Sequence, residues 1–278
     1  MSFTELMRGR TGALAPAGRG LAAPRWAAMA ALFLLSPILA LAAVRHENFE
    51  KTVPAAGIQT IRVQNVNGDV AVVAGSGDTI RIEAEKTARG GDADEILRDL
   101  EIRVRTVGDK LEIETVNPKK KKLFGFIDLG SSNCCSVRYA IQVPLNRGLA
   151  IETVNGAIDV ASVEGKIHVE TVNGSIALSG VRGEVVATTV NGSVSVVRVD
   201  GLAATKVETV NGNVEVAIDK ASSSFAYEFE TVNGRIESDF PLSVGGKYGP
   251  KNAHGQVGAG GVSIAAESVN GSIRLRSR

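Results

Sequence analysis

Six glutamates recur two residues before a valine: Glu114, Glu152, Glu170, Glu208, Glu230 and Glu267. A column of carboxylates offers three kinds of chemistry: cation binding, acid–base work on a polymer, or a charged docking face. If the segments carrying them stack as strands about 5 Å apart, neighbouring members repel by about 3 kcal/mol at an effective dielectric of about 20. Sheets normally avoid directly opposed like charges. Lysines such as Lys166 and Lys206 would offset the repulsion, as would a divalent cation such as calcium, for which Glu152, Glu170, Glu208 and Glu230 are the candidate ligands. The ordinary alternative is a solvated face, screened by salt and paired with lysine.

Other reactive groups are few. Lys119, Lys120, Lys121 and Lys122 form a basic run followed by Leu123, Phe124, Phe126 and Ile127. That combination suits anionic lipid headgroups or lipopolysaccharide, against the plainer reading of a solvated loop. Cys134 and Cys135 are adjacent and close only a strained ring, so they are reduced, vicinally bridged or paired between chains. A redox catalyst normally carries C-x-x-C. His46, His168 and His254 have no triad-like setting, and the sequence has no G-x-S-x-G elbow, H-E-x-x-H or phosphate loop. The expectation is a protein that is not an enzyme and needs no cofactor, apart from the calcium considered above. One enzymatic alternative stands: a β-helix carbohydrate-active enzyme using projected acids, with Glu170 and Glu208 as its candidates.

The composition points the same way. The 31 Lys+Arg and 30 Asp+Glu leave a net charge of +1, without the basic excess of a nucleic-acid binder. Hydrophobic residues make up 44% of the 278, enough for a sizeable core. Residues 1–44 form a unit of their own: Arg8, Arg10, Arg19 and Arg25, then an apolar run from Trp26 to Val44, then Ala40-Leu41-Ala42 at its end. This is the pattern of a secretory signal, or of a membrane tether through residues 26–44 if retained. Either way the remainder is expected outside the cytoplasm: periplasmic, secreted or membrane-anchored.

What positions the acids is a repeat. Val-Asn-Gly occurs seven times, at Asn67, Asn155, Asn173, Asn191, Asn211, Asn233 and Asn270, with an altered copy at Val116-Asn117-Pro118. From Asn155 to Asn233 the spacings are 18, 18, 20 and 22 residues, a fixed period that marks a repeat architecture. A second corner follows at Val163-Glu164-Gly165, Val181-Arg182-Gly183 and Val199-Asp200-Gly201. Between corners, apolar and polar residues alternate, as in half-buried strands. Each period is thus two strands and two turns, with glycine expected to supply positive φ and the corner valine to fill the bend. Stacked as a β-solenoid, residues 147–278 would align Asn155, Asn173 and Asn191 in an amide ladder. The alternative is an antiparallel meander or sandwich with each Asn-Gly as a hairpin turn.

Residues 45–146 read as a β-rich region with one short helix. Strands are expected at Thr60–Val66, Val70–Val73 and Thr79–Glu85, a helix over Asp92–Leu100 capped by Asp92, and a hairpin of Glu101–Thr106 with Leu111–Thr115. Val137–Val143 leads into the repeats. Pro241–Gly261 reads as an irregular surface loop, and Ser272–Arg278 as a terminal strand whose arginines discourage edge pairing.

With Asn65-Val66-Asn67-Gly68-Asp69-Val70, Ile141-Gln142-Val143-Pro144 and Glu267-Ser268-Val269-Asn270-Gly271-Ser272-Ile273, residues 58–278 resemble the putative-adhesin family, a domain of unknown function found in bacterial cell-envelope β-repeat proteins. The resemblance implies an all-β repeat fold and, by analogy only, adhesion; the family has no agreed catalytic residues to carry over. This chain departs from it at Asn117-Pro118 and in its paired cysteines. The expected function is a non-enzymatic scaffold presenting a binding surface to an envelope polymer, an envelope protein or itself. The alternative in the same class is a membrane-tethered envelope-stress accessory or sensor.

Overall fold

A computed structural model describes residues 44–116, 135–199, 203–219, 224–245 and 251–278. Lys119, Lys120, Lys121, Lys122, Cys134 and residues 26–43 lie outside the described residues. Leu41–Arg278 form one compact unit. Among the described residues no helix is long and apolar enough to cross a membrane.

Among the described residues the fold is all-β apart from one short helix, in two large sheets of ten and eleven strands, and the strand order closes neither sheet. The cause is visible in any one repeat. In Ile167–Asn173, Ile167, Val169 and Thr171 are buried while His168 and Glu170 face outward. Gly174 turns the chain, and Ile176–Val181 continues in the other sheet with Ile176 and Leu178 buried. Successive strands therefore alternate between the sheets, and inward residues of both meet in one core.

Repeats pair in parallel and in register. Ile167 lies beside Leu149 on one side and Val185 on the other, and Asn173 beside Asn191. Ile176 lies between Ile158 and Val194 in the second sheet. The rung at Asn67 joins the same row: Ile61 pairs with Leu149, and Val70 with Ile158. Inside the repeats the pairing is thus parallel, which removes the antiparallel meander there. The layering of two facing sheets is that of the sandwich alternative. Antiparallel pairs lie toward the ends, where Thr79–Arg89 joins Val44–Pro54 and Cys135–Pro144, Glu101–Val107 joins Lys110–Val116, and Phe225–Asn233 joins Lys251–Val257.

Several local expectations change. The helix is Ala93–Asp99, burying Ala93 and Leu97, and Asp92 precedes it with no side-chain capping bond. Val44–Pro54 is a strand of eleven residues, unforeseen because its alternation is weak. Pro241–Gly261 is not merely a loop, since it contains Ser243–Gly245 and Lys251–Val257 as paired strands. Ile273–Ser277 ends the chain but not the sheet: it lies between Val214–Ile218 and Ile236–Ser238. Its arginines point out of the sheet face, Arg274 to Glu237 at 3.0 Å and Arg276 to Asp239 at 3.3 Å.

The end of the stack near Asn67 has a polar plug. Asn65 takes the place that threonine holds in other rungs, and its Nδ2 donates to Gly68 O at 3.0 Å and Val137 O at 2.8 Å. Thr115 donates to Asn65 Oδ1 at 3.0 Å and lies 2.6 Å from the Tyr139 hydroxyl. Burial pushes the Tyr139 phenol up to about 12, opposed by its bond to Thr115. The unfolded phenol ionises near pH 10, so between about pH 10 and 12 the native state holds a proton that the unfolded state has lost. Stability from this group is complete below pH 10 and falls by roughly 3 kcal/mol by pH 12. Denaturant titrations across that range should show this fall in the wild type and not in Tyr139→Phe.

Candidate functional site

At the Val-Asn-Gly corner, identical residues of successive rungs form rows. The asparagine row is complete. Asn155 Nδ2 donates to Asn67 Oδ1 at 2.8 Å, Asn173 to Asn155 at 2.8 Å, Asn191 to Asn173 at 2.9 Å and Asn211 to Asn191 at 2.8 Å. Asn270 then donates to Asn211, and Asn233 to Asn270, both at 2.9 Å. All seven corner amides are one hydrogen-bonded rail on the protein surface. Each amide has two N–H groups and two acceptor lone pairs. The rail uses one of each in an interior member, leaving one donor and one acceptor per rung directed elsewhere.

The rail is held by buried hydroxyls beneath it. Thr171, Thr189 and Thr209 donate to Gly156 O, Gly174 O and Gly192 O at 3.1, 2.9 and 2.9 Å. Ser268 donates to Gly212 O at 3.0 Å and Thr231 to Gly271 O at 2.8 Å. Thr153 breaks the series: Asn65 already bonds Gly68 O, and the Thr153 hydroxyl has no hydrogen-bond partner among the described residues.

Two expectations about the corner are overturned. The valines do not fill the bend. Val172, Val190, Val210, Val232 and Val269 are exposed, because the buried threonine before each of the first four, and the buried Ser268 before Val269, sets the parity and turns the valine outward. The glycines of the Val-Asn-Gly corners, Gly68 apart, do not have positive φ, whereas Gly183 at the second corner does, with φ of 90°. Glycine is required because adjacent corners approach closely: a Cβ on Gly174, Gly192, Gly212 or Gly271 would fall on the carbonyl oxygen of the neighbouring rung's glycine.

Beside the valines runs the acidic column, in spatial order Glu114, Gln64, Glu152, Glu170, Thr188, Glu208, Glu267, Glu230. Its carboxylates have polar or basic neighbours along part of its length. Arg62 and Gln64 bond Glu152 at 2.8 and 3.0 Å, His168 meets Glu170 at 2.7 Å, and Lys206 meets Glu208 at 2.6 Å. The bond to Glu208 holds the Lys206 ammonium above its ordinary range. Among the described residues no three His, Cys, Asp or Glu side chains converge as a metal-binding group. Around Glu208, Glu267 and Glu230 the surface is concave, an open groove of about 500 Å³ bounded by Val210, Val232, Val269 and Lys251. Its shape was not legible in the sequence, because the strand Lys251–Val257 that walls it comes from the segment read as loop.

His46 lies against Glu85 at 3.0 Å, and His254 is an outward residue of Lys251–Val257. Cys135 opens a strand, and its carbonyl accepts from Asn67 Nδ2 at 3.4 Å.

No family model matches the sequence, and no curated protein sequence does. Solved structures resemble it in part. A putative cell adhesion protein from Clostridium sporogenes is 12% identical with a TM-score of 0.49, covering 84% of this chain and 100% of its own. A putative adhesin from Bacteroides fragilis is 11% identical with a TM-score of 0.33, covering 82% of this chain and 97% of its own. A putative lipid binding protein from Parabacteroides distasonis is 13% identical with a TM-score of 0.35, covering 82% of this chain and 96% of its own.

Proposed function

We propose that the protein is a non-enzymatic, extracytoplasmic scaffold, a β-solenoid of two-strand rungs whose Val-Asn corner binds a linear glycan of the cell envelope. The observation that carries this reading is the amide rail: seven asparagines joined by six bonds, flanked by exposed valines at the same rung spacing. A glycan presents alternating hydroxyls and C–H faces along its length. The rail supplies a donor and an acceptor per rung, and the valine row supplies apolar contact between them. The side chains are ordered before binding, because each amide is held by its neighbours, which lowers the entropy lost on association. Each contact is weak, and affinity comes from their repetition along the stack.

The reading is tested by co-sedimentation of the purified protein with insoluble cell-wall glycan and with lipopolysaccharide vesicles. Binding to one of them is expected, and Val190→Asp with Val210→Asp should weaken it at least about tenfold, since carboxylates would replace apolar contact along the rail. Ser195→Asp on the opposite sheet should leave it unchanged. Equal loss from both variants, or no binding to either material, would overturn the proposal.

A further inference from the structure

The last two strands occupy a position that chain order does not give them. Val262–Asn270 pairs in parallel with Thr205–Asn211 on one side and with Phe225–Asn233 on the other. In the second sheet Ile273–Ser277 lies between Val214–Ile218 and Ile236–Ser238. The rung that ends the chain fills a slot between two rungs that precede it in sequence. Ile264, Ala266, Ser268, Ile273 and Leu275 are buried in that slot. Asn270 carries the amide rail across it, donating to Asn211 and accepting from Asn233.

The chain reaches the slot through four residues, Gly258-Ala259-Gly260-Gly261. Val257 and Val262 both lie beside Phe225, on opposite sides, so this crossover spans two strand spacings, about 9.6 Å. Gly258, Gly260 and Gly261 have φ of 61, 77 and 117°, values that side-chain-bearing residues rarely adopt. Ser224 Oγ holds the crossover by donating to Gly260 O. A short hinge of this kind, joined to an element recognised by a repeated pattern, is the arrangement that exchanges between copies.

We infer that residues 262–278 form an exchangeable rung whose partner is the vacated slot of a second copy of this chain. In the monomer the rung folds back over Phe225; in a swapped dimer the hinge extends and the same strands insert into the neighbouring copy. The slot contacts are the same in both, and the hinge alone changes. This goes beyond the glycan reading and does not depend on it.

The test uses the full-length chain carrying Cys134→Ser and Cys135→Ser. Lys206 and Ala265 are register partners on the outer face. Single variants Lys206→Cys and Ala265→Cys are mixed at high concentration and treated with a short bis-thiosulfonate linker. A cross-linked dimer that requires both variants is the expected result. A second variant deletes Gly258, Gly260 and Gly261, leaving two Cα steps, about 7.6 Å, too short for the crossover. It should shift from monomer to dimer by light scattering. Cross-linking within one chain by the double variant, with none between chains in the mixture, would overturn the inference. If the deletion variant does not fold, the mixture decides alone.

Discussion

Gly192→Ala is expected to be among the most damaging single changes in the molecule, although it adds one methyl group at the surface. The new Cβ would fall on the carbonyl oxygen of Gly174. That oxygen already accepts from Thr189 Oγ1 at 2.9 Å, and the Gly192 amide donates to Asn211 O at 3.1 Å. Neither backbone can yield without breaking bonds to its other neighbour, because each corner is clamped between two rungs. In a tolerant site Gly→Ala gains up to about 1 kcal/mol by restricting the unfolded chain. Here the clash should outweigh that and cost on the order of 4 kcal/mol, a large part of a typical domain's stability. Gly91→Ala is the control, since no described residue lies within 4 Å of its added Cβ, and it should fall within about 0.5 kcal/mol of the wild type. Urea denaturation of the three proteins measures the difference. Equal midpoints for Gly192→Ala and wild type would mean that the corners are farther apart than described.

Arg198→Ala should cost about 3 kcal/mol, whereas Arg198→Met should lie within about 1 kcal/mol of wild type. Arg198 is 2% exposed and stands in an inward position where the adjacent rung carries Val181. Its guanidinium donates to Thr205 Oγ1 at 3.0 Å and to Gly183 O at 2.8 Å, and Nε has no hydrogen-bond partner among the described residues. Burial draws its pKa below the ordinary arginine value. Both variants remove the bonds to Gly183 O and Thr205 Oγ1, but only truncation to alanine also opens a cavity. Methionine fills much of the space and removes a charge that is costly to bury. The contrast between the two variants, read as a difference in denaturation midpoints, separates volume from hydrogen bonding. Equal losses in both would assign the stabilisation to the bonds to Gly183 and Thr205.

Both sites show where local reasoning stops. Strand parity places residues 194, 196 and 198 on one face, and the structure buries all three. Residue type argues against burying an arginine, and parity prevailed because Arg198 finds a carbonyl and a hydroxyl at the second corner. The corner valines are the converse. Their type suggests burial, but the same parity turns Val172 and Val190 outward once Thr171 and Thr189 face in. Positive φ is the usual reason for glycine at a turn, yet at Gly174 and Gly192 the reason is the neighbouring backbone, which belongs to residues one period away.

The amino-acid pattern by itself determined the strands of the repeats and the two corners of each period, because alternation and period are local properties that repetition reinforces; it made an asparagine row available if the rungs stacked in parallel. Tertiary structure alone decided the pairing direction, the order of the last rungs and the groove beside Glu208, Glu230 and Glu267. Near-identical rungs present nearly identical edges, so no local signal can say which of them lies next to which. That choice depends on the chain's connections: Lys251–Val257 covers the outer edge of Phe225–Asn233, and the Gly258–Gly261 crossover leaves the final rung only the slot on its inner side.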